Sequence, residues 1–177
     1  TLCYLLIKNN IEFIPLIINY SQHCFETELE RLKEVLPENY VNKIEIIDVS
    51  GIYKYSKSKF IIPSNLWEEK VTAEDLYIPY RNVLLLTIAA SFARTLEMNY
   101  VYSNDFFNNL ESLLSEYGSV KIEMPFRDFS KYEVAKLGIE LGAPIGKTFS
   151  CQASPKIPCG ACPNCVDRLE ALKKLSE

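Results

Sequence analysis

Residues 11–49 read IEFIPLIINYSQHCFETELERLKEVLPENYVNKIEIIDV. The first nine, IEFIPLIIN, form an apolar, isoleucine-rich run of strand length with hardly a polar break, the pattern of a strand buried on both faces. Residues 25–36 (FETELERLKEVL) change to helical spacing, and residues 43–49 (KIEIIDV) return to a β-rich run. A strand, a helix and a second strand in so short a span describe a crossover unit, which joins parallel neighbours.

The same alternation extends in both directions. Upstream, residues 1–8 (TLCYLLIK) read as the later turns of a helix that Asn9 and Asn10 break. Downstream, residues 50–79 are a long polar and aromatic stretch rich in Lys, Ser and Tyr, which we read as an active-site excursion. Residues 82–96 (NVLLLTIAASFARTL) predict an apolar helix, 100–103 a short strand, 106–117 a helix and 120–125 (VKIEMP) a last strand. Ser130 and Glu133 form the S-x-x-E signature of a capping box, so a helix is predicted over 130–141, closed by Gly142. The fold class is therefore α/β, a parallel sheet with flanking helices.

In such sheets ligands sit beyond the carboxyl ends of the strands. Those ends carry Tyr20-Ser21-Gln22-His23, then Arg81 and Asn82 after the excursion, and Ser103-Asn104-Asp105. Arg81 at a helix start is a fixed planar cation beside backbone donors, suited to a phosphate or an adenylate carbonyl. Lys131, at the start of the capped helix, can neutralise a departing phosphate. His23 is the chain's single histidine, so any imidazole acid or base must be His23. Each has a plainer alternative: Arg81 pairing a carboxylate, Lys131 solvated, His23 hydrogen-bonding within its loop.

Four of the six cysteines are Cys151, Cys159, Cys162 and Cys165, a lone thiol followed by two overlapping C-x-x-C turns. A C-x-x-C turn directs two sulfurs at one point, and four thiolates make the closed tetrahedral shell of structural zinc. Gly160 eases the turn. An iron–sulfur cluster is the rival occupant, and a pair of disulfides or four unrelated thiols the alternative without metal. With every position filled by cysteine, the metal holds structure and leaves no open site for chemistry. Residues 166–169 (VDRL) then lead away as a helix.

Composition bounds the function. The chain has 177 residues, enough for one domain with a real core, and 48% hydrophobic with 24% charged residues is ordinary for a globular protein. A net charge of -4 and a pI near 5.2 argue against an extended nucleic-acid surface. No apolar run reaches the roughly 20 residues that span a membrane, and no signal-peptide pattern opens the chain, so a cytoplasmic location is expected.

The order of these motifs resembles the PP-loop ATP-dependent ligases, and among them the 7-cyano-7-deazaguanine synthase (QueC) type, over nearly the whole chain. Tyr20-Ser21-Gln22-His23 with Glu26 is similar to that family's Y-G-Q-x-H-x-x-E. Residues 78–82 (IPYRN) followed by LLLTIAAS resemble its V-P-G-R-N helix start, Lys131 and Glu133 its S/T-K-x-E, and residues 148–151 (TFSC) with the C-x-x-C turns and Arg168 its zinc segment. The resemblance implies a Rossmann-like domain of the adenine nucleotide alpha hydrolase type over residues 1–147, with a zinc-binding segment over 148–177. It implies ATP with magnesium, and a small-molecule carboxylate that is adenylated, aminated by ammonia, then dehydrated to the nitrile of a 7-deazapurine in queuosine biosynthesis. Arg81, Lys131 and His23 would be catalytic, and Tyr20, Gln22, Arg81, Asn82, Ser103 and Asp105 would bind ATP or substrate. A homodimer is implied too.

Three departures qualify that expectation. The Ser-Gly-Gly-x-Asp-Ser loop for pyrophosphate is absent, and the chain starts where that loop ends, so we expect an incomplete piece whose missing strand would be central in the sheet. Tyr80 stands where the family carries glycine. Residues 106–114 (FFNNLESLL) replace an S-G-Y-P-D-C-R-like substrate segment. A paralogue acting on another carboxylate or on a protein, as in antiviral defence, keeps the ATP motifs while losing these. A binding module carried by the zinc segment is the reading without catalysis.

Overall fold

The computed structural model describes residues 1–63, 70–103 and 108–176. It divides into two compact units, one holding Thr1, Cys3–Ile78 and the chain from Ser130 on, the other Leu2 and Pro79–Phe129. The zinc segment therefore belongs to the same unit as residues 3–78.

The first unit begins with helix α1 (Leu2–Lys8), capped at Asn9. Strand β1 is Leu16–Asn19, shorter than the expected run from residue 11. Pro15 explains the late start: it has no N–H to give to a ladder, and its carbonyl instead accepts Glu45 N at 2.9 Å. Phe13, just before it, is buried in a stack on Tyr40 with ring centroids 4.3 Å apart, so the upstream isoleucine-rich residues serve packing rather than pairing. Helix α2 (Phe25–Val35) follows, then a short helix α3 (Glu38–Val41) that the patterning did not predict, and strand β2 (Glu45–Asp48). Strands β1 and β2 pair in parallel, Leu16 with Glu45 through Asn19 with Asp48, as the crossover requires.

The second unit is built of helix α4 (Arg81–Thr95), strand β3 (Tyr100–Tyr102), helix α5 (Asn108–Gly118) and strand β4 (Lys121–Glu123). Here too the strands are parallel, Tyr100 opposite Lys121. Its core forms two clusters: Leu86, Leu110 and Ile122, flanked by Val83, Leu114 and Met124, and then Ala90, Ala93 and Val120, flanked by Met98 and Val101. Small alanines let α4 approach Val120, which is almost wholly buried.

Among the described residues the strands form two parallel pairs, β1–β2 and β3–β4, in keeping with the expected α/β class with parallel strands. In each pair a helix lies between the two strands in sequence, α2 in one and α5 in the other, and α4 and α5 pack on β3 and β4.

The chain returns to the first unit at helix α6 (Lys131–Glu140), whose capping box is complete. Ser130 Oγ accepts Glu133 N, and Glu133 Oε2 accepts Ser130 N at 2.7 Å. Gly142 takes a left-handed φ of 77°, closing the helix as its sequence position predicted. After a 3-10 turn at Ile145–Lys147, helix α7 (Pro163–Ser176) packs on α6. No helix among the described residues is long and apolar enough to cross a membrane.

Candidate functional site

The four predicted metal ligands do converge. The Sγ atoms of Cys151, Cys159, Cys162 and Cys165 all lie within 4.8 Å of one another. A zinc–sulfur bond of about 2.3 Å separates the corners of a tetrahedron by roughly 3.8 Å, so small rotamer shifts complete the shell. None is in a disulfide. Backbone donors already face the sulfurs: Ser154 N and Cys159 N reach Cys151 Sγ at 3.3 and 3.4 Å, and Ala161 N and Cys162 N reach Cys159 Sγ at 3.4 and 3.2 Å. Amides aimed at sulfur favour thiolate. Burial pushes the Cys159 thiol up, but the amides of Ala161 and Cys162 outweigh it and hold Cys159 below its ordinary value. Burial wins at Cys151 and Cys165, whose thiols are raised in the metal-free chain. A cation must therefore displace protons to bind there.

Beside this cluster lies the start of α2. His23 Nε2 stands 3.0 Å from the Lys59 carbonyl and 3.1 Å from the Gln152 carbonyl. Carbonyl oxygens only accept, so Nε2 carries the proton. Nδ1 is buried, and among the described residues it has no hydrogen-bond partner. One turn on, Thr27 Oγ1 donates to the Pro155 carbonyl. Cys24 lies between them, fully buried, its thiol donating to Glu28 Oε1 at 3.2 Å. Burial first, then the Glu28 carboxylate, pushes that thiol far up, so Cys24 is a packed thiol rather than a further ligand.

The loop after β1 is fastened from within. Tyr20 is buried with its ring against Tyr53 and Phe60. Gln22 Oε1 accepts Tyr20 N, while its Nε2 donates to the Ile18 carbonyl and Glu28 Oε2. That amide holds the loop shape. Ser21 adopts φ 71° and donates its hydroxyl to the Ser50 carbonyl at 3.0 Å. At the strand ends Asn19 Nδ2 donates to Asp48 Oδ2 at 2.7 Å, and Asp48 Oδ1 accepts both the amide and the hydroxyl of Ser50. Those Ser50 bonds hold the Asp48 carboxyl below its ordinary value.

In the second unit, Arg81 opens α4, with Nε donating to Asn82 Oδ1 at 2.8 Å. Tyr80, its N-cap, sits at φ 58° and ψ 7° with an 81% exposed side chain. Ser103 directly follows β3, its N–H donating to the Glu123 carbonyl at 3.0 Å. Asp105, the last expected ligand-binding residue, lies outside the described residues, as do Asn104, Phe106 and Phe107.

Lys131 opens α6 and lines a cleft of about 190 Å³ together with Thr148, Ser150, Asn164 and Arg168. Arg168 Nη2 donates to the Ile145 carbonyl at 3.0 Å, which fixes the turn beneath the cleft. Among the described residues Lys131 has no ion-pair partner. Thr1 and the apolar Val134, Ala135, Ile145, Ala171 and Leu172 complete the lining, and the Thr148 and Ser150 hydroxyls donate to the Ile145 and Asn164 carbonyls, so the capacity of the cleft to hold an anion rests on Lys131.

A family model described as "Queuosine biosynthesis protein QueC" matches residues 1–176. The chain belongs to the QueC family. Among curated members, the 7-cyano-7-deazaguanine synthase of Picrophilus torridus is 30% identical, aligned over 97% of this chain and 81% of its own length. The synthase of Sulfurihydrogenibium is 31% identical over 83% of this chain and 77% of its own length. That of Campylobacter jejuni is 28% identical over 99% and 89%. Within this QueC member, sequence reasoning missed Thr27, Asn19 and Asp48. A signal for the last existed: Asp48 followed two residues later by Ser50 at a strand end is an Asx-type turn. Nothing local marked Thr27, because its partner, Pro155, is 128 residues away.

Proposed function

We propose that the protein, acting with ATP and magnesium, converts a 7-carboxy-7-deazaguanine-like carboxylate and ammonia to the corresponding nitrile. The carrying observation is the QueC match across residues 1–176, with relatives named as 7-cyano-7-deazaguanine synthases aligned over most of their length. ATP adenylates the carboxylate with release of pyrophosphate, ammonia displaces AMP to give the amide, and a second adenylation of the amide oxygen lets it leave with AMP as the nitrile forms. Arg81 contributes a guanidinium at the N-terminal end of α4, a place for phosphoryl or carbonyl oxygen. Lys131, which lines its cleft together with Arg168, offers charge to an anion. Zinc at the four cysteines completes a closed thiolate shell and supports the fold. His23, whose Nε2 proton is engaged by two backbone carbonyls, enters as a residue that holds segments in place.

The test is direct. Full-length protein incubated with ATP, ammonium and 7-carboxy-7-deazaguanine yields the amide and then the nitrile by mass spectrometry. Absence of both products rejects the synthase reading. A second reading, a QueC relative that activates another carboxylate, is favoured by Tyr80, which projects its ring into solvent at the helix start where the family pattern has glycine. Pyrophosphate exchange stimulated by a different carboxylate, with none for the deazapurine, would select it.

A further inference from the structure

Residues 152–158 (QASPKIP) bridge the first two metal ligands without helix or strand. A segment of this kind costs conformational entropy to order, and two proline residues reduce that cost only in part. Two side chains, His23 in the turn just before α2 and Thr27 in the first turn of α2, donate to its backbone at Gln152 and Pro155. His23 also meets the long excursion twice: its backbone N–H donates to the Phe60 carbonyl at 3.0 Å, and its side-chain Nε2 is shared with the Lys59 carbonyl. Phe60 in turn lies against the Tyr20 ring. The excursion is itself tied down here, with Lys59 N donating to the Asp75 carbonyl at 2.8 Å. Three segments distant in sequence thus meet on one imidazole.

We propose that His23 and Thr27 are positioning residues that latch the Cys151–Cys159 loop to the strand-end loop and the excursion, making metal occupancy and the order of residues 58–61 a single coupled equilibrium. Metal binding orders the loop that the latch also orders, so each lowers the cost of the other, and the coupling must run equally in both directions. The inference rests on the metal reading of the four cysteines and not on the reaction, so failure to make nitrile leaves it intact.

The test uses full-length, zinc-loaded protein and two readouts: the rate of zinc transfer to a chromophoric chelator, and amide hydrogen exchange of residues 58–61 with and without metal. His23→Asn keeps an amide near the Nδ1 position and loses the Nε2 donor, whereas His23→Gln places an N–H near Nε2. Thr27→Val removes the hydroxyl and keeps the shape. We expect His23→Asn and Thr27→Val to release zinc roughly five- to tenfold faster, the effect of one lost buried hydrogen bond, with His23→Gln within about twofold of the parent. Exchange at 58–61 accelerates when the parent is stripped of metal, and is already fast in zinc-loaded His23→Asn. Equal release from the Asn and Gln variants, or exchange at 58–61 that ignores metal, overturns the latch. If His23→Asn does not fold, parental release from Thr27→Val overturns it as well. Parental protein that carries no metal overturns both the latch and the metal reading, and elemental analysis identifies that case.

Discussion

Tyr80 sits in the left-handed region with most of its side chain in water. An L-residue there costs roughly 1–2 kcal/mol, which glycine avoids at some loss of unfolded-chain restriction. Tyr80→Gly is therefore expected to stabilise the protein by up to about 1 kcal/mol in urea denaturation, because little packing is lost; a lower midpoint would show that the exposed ring has a partner. At the next position, Arg81→Lys keeps the charge but loses the planar fork. Product formation from ATP and carboxylate is expected to drop at least about tenfold, and an unchanged kcat/KM would remove Arg81 from the chemistry. Residue identities were well marked wherever chemistry is local, as with the cysteine spacing and the Ser130–Glu133 box. The long-range roles of His23 and Thr27 were not, since both depend on carbonyls more than 100 residues away.

Among the elements, α6 is the one whose boundaries could be read residue by residue. Its capping box satisfies two backbone donors, so Ser130→Ala is expected to cost about 1 kcal/mol of stability. The partner carboxyl adds a pH dependence. Bonds from the Ser130 amide and hydroxyl hold the exposed Glu133 carboxyl below its ordinary 4.5. A depressed carboxyl stabilises the fold above its unfolded value and stops doing so as pH falls through the folded one. Glu133→Gln should accordingly narrow the stability gap between pH 6 and pH 3.5, in thermal melts at both; an identical gap would mean the box contributes no charge effect. Strand extents were less legible. Hydrophobicity marked residues 11–15 as strand, but Phe13 stacks on Tyr40 and Pro15 cannot donate, so pairing starts only at Leu16. Helix α3, a single turn after Pro37, is too short for any periodic signal to reveal.

For the molecule as a whole, parallel pairing and the α/β alternation followed from the crossover pattern, whereas the division into two pairs of strands did not, because nothing in an apolar run states which edge it will meet. Metal is expected at one zinc per chain with no visible absorbance; iron with colour would assign a cluster instead. Chelation should lower the melting temperature and speed hydrogen exchange in residues 3–63 and 130–176. Because burial raises the Cys151 and Cys165 thiols, protons compete with the cation, and chelator-driven release should quicken as pH falls below the ordinary thiol range of about 8.5. Release that slows on acidification would contradict a thiolate site.

The acceptors that hold the 152–158 loop are main-chain carbonyls, present whatever the side chains are. Substitution can therefore rewrite Gln152, Lys156 and Ile157 freely while the donors at His23 and Thr27 stay fixed. A saturation mutagenesis map would show a tolerant loop facing two selective positions, a side-chain N–H donor required at His23 and a hydroxyl at Thr27, so that the residues guarding the metal are found far from it along the chain.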